Sequence, residues 1–195
     1  MAQLTPSEEE RLLEAVSGAR VTIVTASCGF GKSTLVPPLL CRTYPDKLVL
    51  CSEPRRLAAT MLAARVASQN ADLAVAHAVR FDSNWTEASR LVYLTEGLLL
   101  ARFAGLDLGN VVFCLDEAHE LSGPLVVLCW LLRRNILRVF KIVILSATLN
   151  VGSFTRYFSV RAQHPRLLDF QRPLAYKVQT LGGNLKPLGV EEYQN

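Results

Sequence analysis

Five short apolar runs rich in β-branched residues recur along the chain: "VTIVT" from Val21, "KLVLCS" from Lys47, "LVYLT" from Leu91, "VVFCLD" from Val111 and "KIVILS" from Lys141. Each is apolar at consecutive positions rather than alternate ones, the pattern of a strand covered on both faces. Helical spacing fills intervals between them, as in "RRLAATMLAARVASQ" and "GPLVVLCWLLRRNI". Strands alternating with helices predict an α/β fold: a mostly parallel sheet with helices on both faces. The opening "TPSEEERLLEAV" predicts a helix that ends near Gly18, with Thr5 as cap, Pro6 at the first helical position and Glu8 as the capping-box acid. Past "SATL" the pattern loosens. The last fifteen residues, "LGGNLKPLGVEEYQN", read as linker or as the start of a further segment.

Composition narrows the class without naming a function. At 195 residues, half hydrophobic and 19% charged, the chain suits one folded domain with a full core. A net charge of +4 permits a polyanionic partner but does not require one. The five cysteines, Cys28, Cys41, Cys51, Cys114 and Cys129, show neither C-x-x-C nor zinc-like spacing. They read as reduced thiols in a reducing compartment, and with no secretory leader pattern this predicts an intracellular, cytoplasmic protein. The longest apolar run, "LVVLCWLL" from Leu125, is far short of the roughly 20 residues that span a bilayer.

In an open parallel sheet, ligands bind beyond the carboxyl ends of the strands, so the polar residues after each run carry the chemistry. After the first run stands "ASCGFGKST", a phosphate-loop pattern with Ala26 where the first glycine normally sits. Gly29 and Gly31 let the backbone N–H groups converge on phosphate oxygens, Lys32 offers a point charge, and the Ser33 hydroxyl offers an Mg²⁺ ligand. The following helix aims its positive end at the same place. After "VVFCL" comes "DEAH", in which Asp116 can hold Mg²⁺ through water and Glu117 can orient and deprotonate an attacking water. "SAT", Ser146 to Thr148, follows the last run and alone reads as helix caps. In "SEPRRLAA", Pro54 starts a helix with Arg55 and Arg56 in its first turn, where cations oppose the dipole. They face an anion such as a nucleic-acid backbone, or they are plain surface arginines.

"GFGKST", "EPRRLAA", "YLTEGLLL", "DEAH" and "SATL", in that order, resemble the first RecA-like domain of superfamily 2 DEAH/RHA-type (DExH-box) helicases. The resemblance runs from about Val21 to Tyr176. "EPRRLAA" with "TEGLLLARF" is similar to the bacterial HrpB-like branch, and viral DExH helicases share the plan. The resemblance implies a RecA-like P-loop NTPase domain over residues 19–180, behind an N-terminal helix at 1–18 and before a linker at 181–195. It implies ATP or another NTP on Gly29, Phe30, Gly31, Lys32, Ser33 and Thr34, with Arg65 stacking on the base. Mg²⁺ falls to Ser33 and Asp116, and catalysis to Lys32, Asp116, Glu117 and His119. Arg55, Arg56, Thr95 and Gly97 would contact the backbone of single-stranded RNA or DNA, with Arg80 and Phe81 in a neighbouring turn. His119, Ser146 and Thr148 would couple nucleotide state to movement. Ala26, Cys28, Phe30 and Asn150 depart from the family pattern, and none removes a group the chemistry needs.

In this family a second RecA-like domain brings the arginine finger, worth about 10³–10⁵ in rate. Arg166 and Arg172 do not spell the family's Q-R-x-G-R-x-G-R pattern. The chain alone is therefore expected to show weak ATPase and no unwinding. The alternative is a non-catalytic module that binds nucleotide or nucleic acid, against which the presence of Lys32, Asp116 and Glu117 argues.

Overall fold

The computed structural model describes residues 4–27, 29–147, 151–160 and 164–170. All five apolar runs form strands: β1 (Val21–Ala26), β2 (Leu48–Glu53), β5 (Leu91–Thr95), β6 (Val111–Leu115) and β7 (Lys141–Ser146). Three further strands complete the sheet: β3 (Val75–Val79), β4 (Asp82–Ser83) and β8 (Arg166–Phe170). The eight lie in the order β4-β3-β5-β2-β6-β7-β1-β8, and every pairing is parallel except β3 with β4. The three unpredicted strands lie at or next to the sheet's edges, where one face stays partly wet and the apolar signal is diluted.

Among the described residues six α-helices cover the two faces: α1 (Pro6–Gly18), α2 (Lys32–Thr43), α3 (Arg56–Gln69), α4 (Glu96–Arg102), α5 (Gly123–Arg134) and α6 (Val151–Phe158). Because strand side chains alternate, the sheet feeds two separate cores. Val24, Cys51, Tyr93, Cys114 and Val143 face the side covered by α1, α2 and α3. Ile23, Leu50, Leu94, Phe113 and Ile144 face the side covered by α4, α5 and α6. The region past "SATL" is therefore more regular than its sequence pattern, since α6 and β8 both form there. Helix α3 begins at Arg56, with Arg55 extended at the cap position, so Pro54 lies before the helix rather than starting it. Cys28, Thr148, Asn150 and residues 171–195 fall outside the described residues.

The capping box at α1 forms as the sequence requires: Thr5 N–H donates to Glu8 Oε2 at 2.7 Å and Glu8 N–H donates to Thr5 Oγ1 at 3.3 Å. Helix α2 carries Pro37 and Pro38 in its interior. Pro37 has no N–H to give the Ser33 carbonyl one turn earlier. The hydroxyl of Tyr93, wholly buried on β5, donates to that carbonyl at 2.6 Å instead. A residue of the sheet thereby repairs the helix and ties its first turn to β5.

Phe30, the unusual residue of the phosphate loop, is only 3% exposed. Its ring stacks on Phe170 of β8, centroids 5.4 Å apart and 10° from parallel. The Arg11 guanidinium of α1 also lies over the Phe170 ring, 5.4 Å from its centroid. This column joins the loop, the edge strand and the first helix. Phe170→Ala is expected to cost about 3 kcal/mol of stability in urea unfolding, and Phe170→Leu distinctly less. Equal unfolding midpoints for all three proteins would show that the column contributes nothing.

Candidate active site

The carboxyl ends of β1, β2, β6 and β7 converge on one edge of the sheet. Ala26 closes β1 inside the ladder, paired with Phe170, so an alanine serves at the first-glycine position. Gly29 (φ 81°) and Gly31 (φ 90°) both adopt left-handed backbone that side chains disfavour. Gly31 sits at the start of α2, its carbonyl accepting from Thr34 and Leu35 N–H. Lys32 is 6% exposed, and its Nζ donates to Ala26 O at 2.7 Å and Ser27 O at 3.3 Å. Its ammonium is thus held at the mouth of the loop by neutral carbonyls. The Thr34 hydroxyl donates to Gly31 O at 3.1 Å, while Ser33 is partly exposed at the first turn. The Phe30 ring points into the α1 core, so only its backbone lies with the loop.

Asp116, just past β6, is fully buried. Its N–H continues the ladder to Ser52 O at 3.1 Å, and its Oδ1 accepts from Glu117 N–H at 2.8 Å. Its Oδ2 is shielded from solvent without a hydrogen-bond partner. Beside it, at the end of β2, Glu53 is 2% exposed, and its Oε1 is likewise unpartnered. Burial first, then the charge of Asp116, pushes the Glu53 carboxyl up to about 10. The sequence reading missed Glu53. Its signal lies in the strand register: Cys51 pairs with Cys114, so Glu53 and Asp116, each two residues on, share one face.

Glu117 adopts left-handed backbone (φ 48°) at the entry to a 3-10 turn, Ala118–Glu120. A non-glycine residue there stores strain that the surroundings must hold. His119 Nδ1 lies 3.3 Å from Glu117 Oε2 and 3.4 Å from Ser146 Oγ. Glu117, His119 and the buried Ser146 at the end of β7 thus form a contiguous polar chain.

The basic residues gather on the β2 side. Arg55 pairs with Glu120 at 3.0 Å, which joins the turn after β2 to the turn after β6. Arg56 donates to Arg80 O at 2.8 Å, and Arg80 lies over the Phe81 ring at 4.7 Å. Phe81 is 89% exposed in left-handed backbone (φ 68°). Thr95 occupies the cap position of α4 without making a side-chain cap bond, and a Cβ on exposed Gly97 would meet nothing within 4 Å. The Thr95 hydroxyl and the Gly97 surface are therefore not consumed by local packing. Buried Glu96, also unforeseen, accepts from the Ser122 hydroxyl and ties α4 to the start of α5. Arg65 is exposed on α3, with no hydrogen bond or ion pair to the loop among the described residues.

No family model matches the chain. Over 180 residues it is 36% identical to "Probable ATP-dependent RNA helicase DHX37" of Homo sapiens, covering 86% of this chain and 15% of that protein. It is 35% identical over 180 residues to "Probable ATP-dependent RNA helicase kurz" of Drosophila melanogaster, covering 86% and 14%. It is 31% identical over 196 residues to "DExH-box ATP-dependent RNA helicase DExH8" of Arabidopsis thaliana, covering 89% and 19%. The chain therefore spans less than a fifth of these relatives' length. With such homologues, the mostly parallel eight-stranded α/β sheet is consistent with a RecA-like domain. No helix among the described residues is long and apolar enough to cross a membrane.

The Glu53 carboxyl sets a pH signature. Neutral in the folded chain and ionised when unfolded, it binds one more proton in the native state between 4.5 and about 10. Stability it contributes is complete below that window and lost as pH rises through it. Wild type should therefore lose stability relative to Glu53→Gln as pH rises from 6 to 9, read from urea midpoints at each pH. A constant gap would mean that Glu53 is already ionised in the native state.

Proposed function

We propose that this homologue of the DExH-box ATP-dependent RNA helicases is the ATP-binding half of such an enzyme, with residues 19–180 as its first RecA-like domain. The observation that carries the reading is the meeting, at one sheet edge, of a glycine-turned loop bearing Lys32 and a buried Asp116 whose Oδ2 lacks a hydrogen-bond partner. A phosphate group fits the first and a hydrated Mg²⁺ fits the second.

The N–H groups from Gly29 to Thr34 and the start of α2 receive the phosphates, and Lys32 exchanges its carbonyl partners for phosphate oxygens. When bound, Mg²⁺ neutralises charge between the β- and γ-phosphates. The Ser33 hydroxyl and the free oxygen of Asp116 would hold it, the latter through water. Glu117 orients the attacking water and takes its proton. His119 steadies Glu117 and relays its position to Ser146 and onward to Thr148. Arg65 stacks on the base. Arg55, Arg56, Arg80, Thr95 and Gly97 line the path of a single RNA strand, the polymer for which the relatives are named. The arginine finger comes from a second RecA-like domain, so the chain alone turns over slowly and does not unwind. The wording of "EPRRLAA" and "TEGLLLARF" supports a place near the bacterial HrpB-like branch.

Steady-state ATP hydrolysis with Mg²⁺ tests the site. Lys32→Ala should lose nucleotide affinity along with turnover. Glu117→Gln should keep affinity while turnover drops by about 10²–10⁴. Turnover indifferent to both substitutions would sink the reading.

A second assay addresses the strand path. The double variant Arg55→Ala/Arg56→Ala should bind single-stranded RNA more weakly. Its log-affinity against log-salt slope should flatten by about 1.4, two phosphates at about 0.7 each. An unchanged slope would remove these arginines from the RNA contact.

A further inference from the structure

Two buried carboxyl groups sit side by side with no cation paired to either among the described residues. Glu53 and Asp116 are 2% and 0% exposed, and each keeps one solvent-shielded oxygen without a hydrogen-bond partner. Among the described residues neither enters an ion pair, and the nearby Lys32 ammonium is bound to Ala26 O and Ser27 O. Buried acids in this arrangement call for a positive occupant, a proton or a cation.

A third donor decides between cations. Cys51 lies two residues before Glu53 on the same face of β2 and is fully buried. One ligand atom each from Cys51, Glu53 and Asp116 lie within 4.8 Å of one another. Donors around a tetrahedral zinc ion, each about 2.0–2.3 Å from the metal, stand about 3.5 Å apart. Closing the cluster onto an ion thus needs movements of about an ångström. Magnesium takes oxygen donors alone, whereas a sulfur beside two carboxylates suits a softer ion. The cluster lies under the first turn of α2, where buried Tyr93, a neighbour of Cys51, Glu53 and Asp116, bonds the Ser33 carbonyl.

We propose that Cys51, Glu53 and Asp116 form a binding site for Zn²⁺ or a similarly thiophilic divalent cation. On binding, the Cys51 and Glu53 protons leave to solvent and three metal–ligand bonds form, with no change of oxidation state. Its consequence, which rests on the helicase reading above, is that the ion takes Asp116 from the nucleotide's Mg²⁺ and arrests hydrolysis.

The experiment titrates metal-free protein with Zn²⁺ alone by calorimetry, and with Cd²⁺ while following the ultraviolet thiolate-to-metal band. The proteins are wild type, Cys51→Ser, Glu53→Gln and, as a thiol control on the opposite face of the sheet, Cys129→Ser, each checked for fold by circular dichroism. The expected result is one Zn²⁺ per wild-type chain and a Cd²⁺ band. Affinity should fall at least about tenfold in both Cys51→Ser and Glu53→Gln, with Cys129→Ser unchanged. No binding by wild type, binding by either site variant as tight as wild type, or loss of the band in Cys129→Ser would each overturn the proposal. Zn²⁺ inhibition of ATP turnover that added Mg²⁺ reverses in wild type, and that is blunted in Cys51→Ser, tests the consequence. An absence of turnover would fall on the helicase reading and leave the metal titration to decide this one.

Discussion

Cys51 faces Cys114 across the β2–β6 ladder, and with a side-chain period of two that pairing forces Glu53 and Asp116 onto one buried face. A slip of one residue by either strand would bring Ser52 or Leu115 to that face and separate the two carboxylates. The same register runs across the rest of the sheet. Leu115 pairs with Ile144 and Thr25 with Ser146, so the residues that end β1, β6 and β7 arrive at a common edge. Parallel pairing makes this possible, because only parallel strands bring all their carboxyl ends to one side. Chemistry at that edge is therefore a consequence of core packing several residues away.

Above the edge, the groups are held ready by neutral or opposed partners rather than by permanent counter-ions. Lys32 rests on two carbonyls. Glu117 stands in strained backbone beside His119, which touches Ser146. Arg55 rests on Glu120 of the same turn that carries Glu117 and His119. The Arg55–Glu120 contact can be exchanged for a ligand at modest cost, since exposed ion pairs contribute about 0–1 kcal/mol. An RNA phosphate that drew Arg55 from Glu120 would release one end of the turn bearing the hydrolytic residues. The pairing thus joins the strand path to the nucleotide site through two adjacent loops.

The five central strands were legible because each is apolar on consecutive positions, a signal that needs no partner to interpret. β3, with "VAHAV", and β8, with "RLLDF", mix polar residues into a short run, so only the neighbouring strands reveal them. The phosphate loop and "DEAH" were legible because their chemistry is compressed into a few adjacent residues. Glu53 was not, since its meaning depends on Asp116 more than sixty positions away. Phe30 looked like an intrusion into the loop, and its stacking partner Phe170 is distant in sequence, on the edge strand β8 beside β1. Arg65 shows the opposite case. Resemblance alone singled it out, and no contact among the described residues joins it to the loop.

The hydroxyl of Tyr93 that stands in for the missing N–H of Pro37 makes these two positions a single unit of inheritance. With proline at 37, a phenylalanine at 93 strands a buried carbonyl, at a cost of about 1–3 kcal/mol. With an alanine at 37, the helix closes its own bond and the tyrosine hydroxyl becomes dispensable. The order in which the two changes arise therefore decides whether a lineage passes through a weakened intermediate. Loss of the proline opens a permissive route, whereas loss of the hydroxyl first loosens the turn that presents Ser33 and Lys32 to the nucleotide.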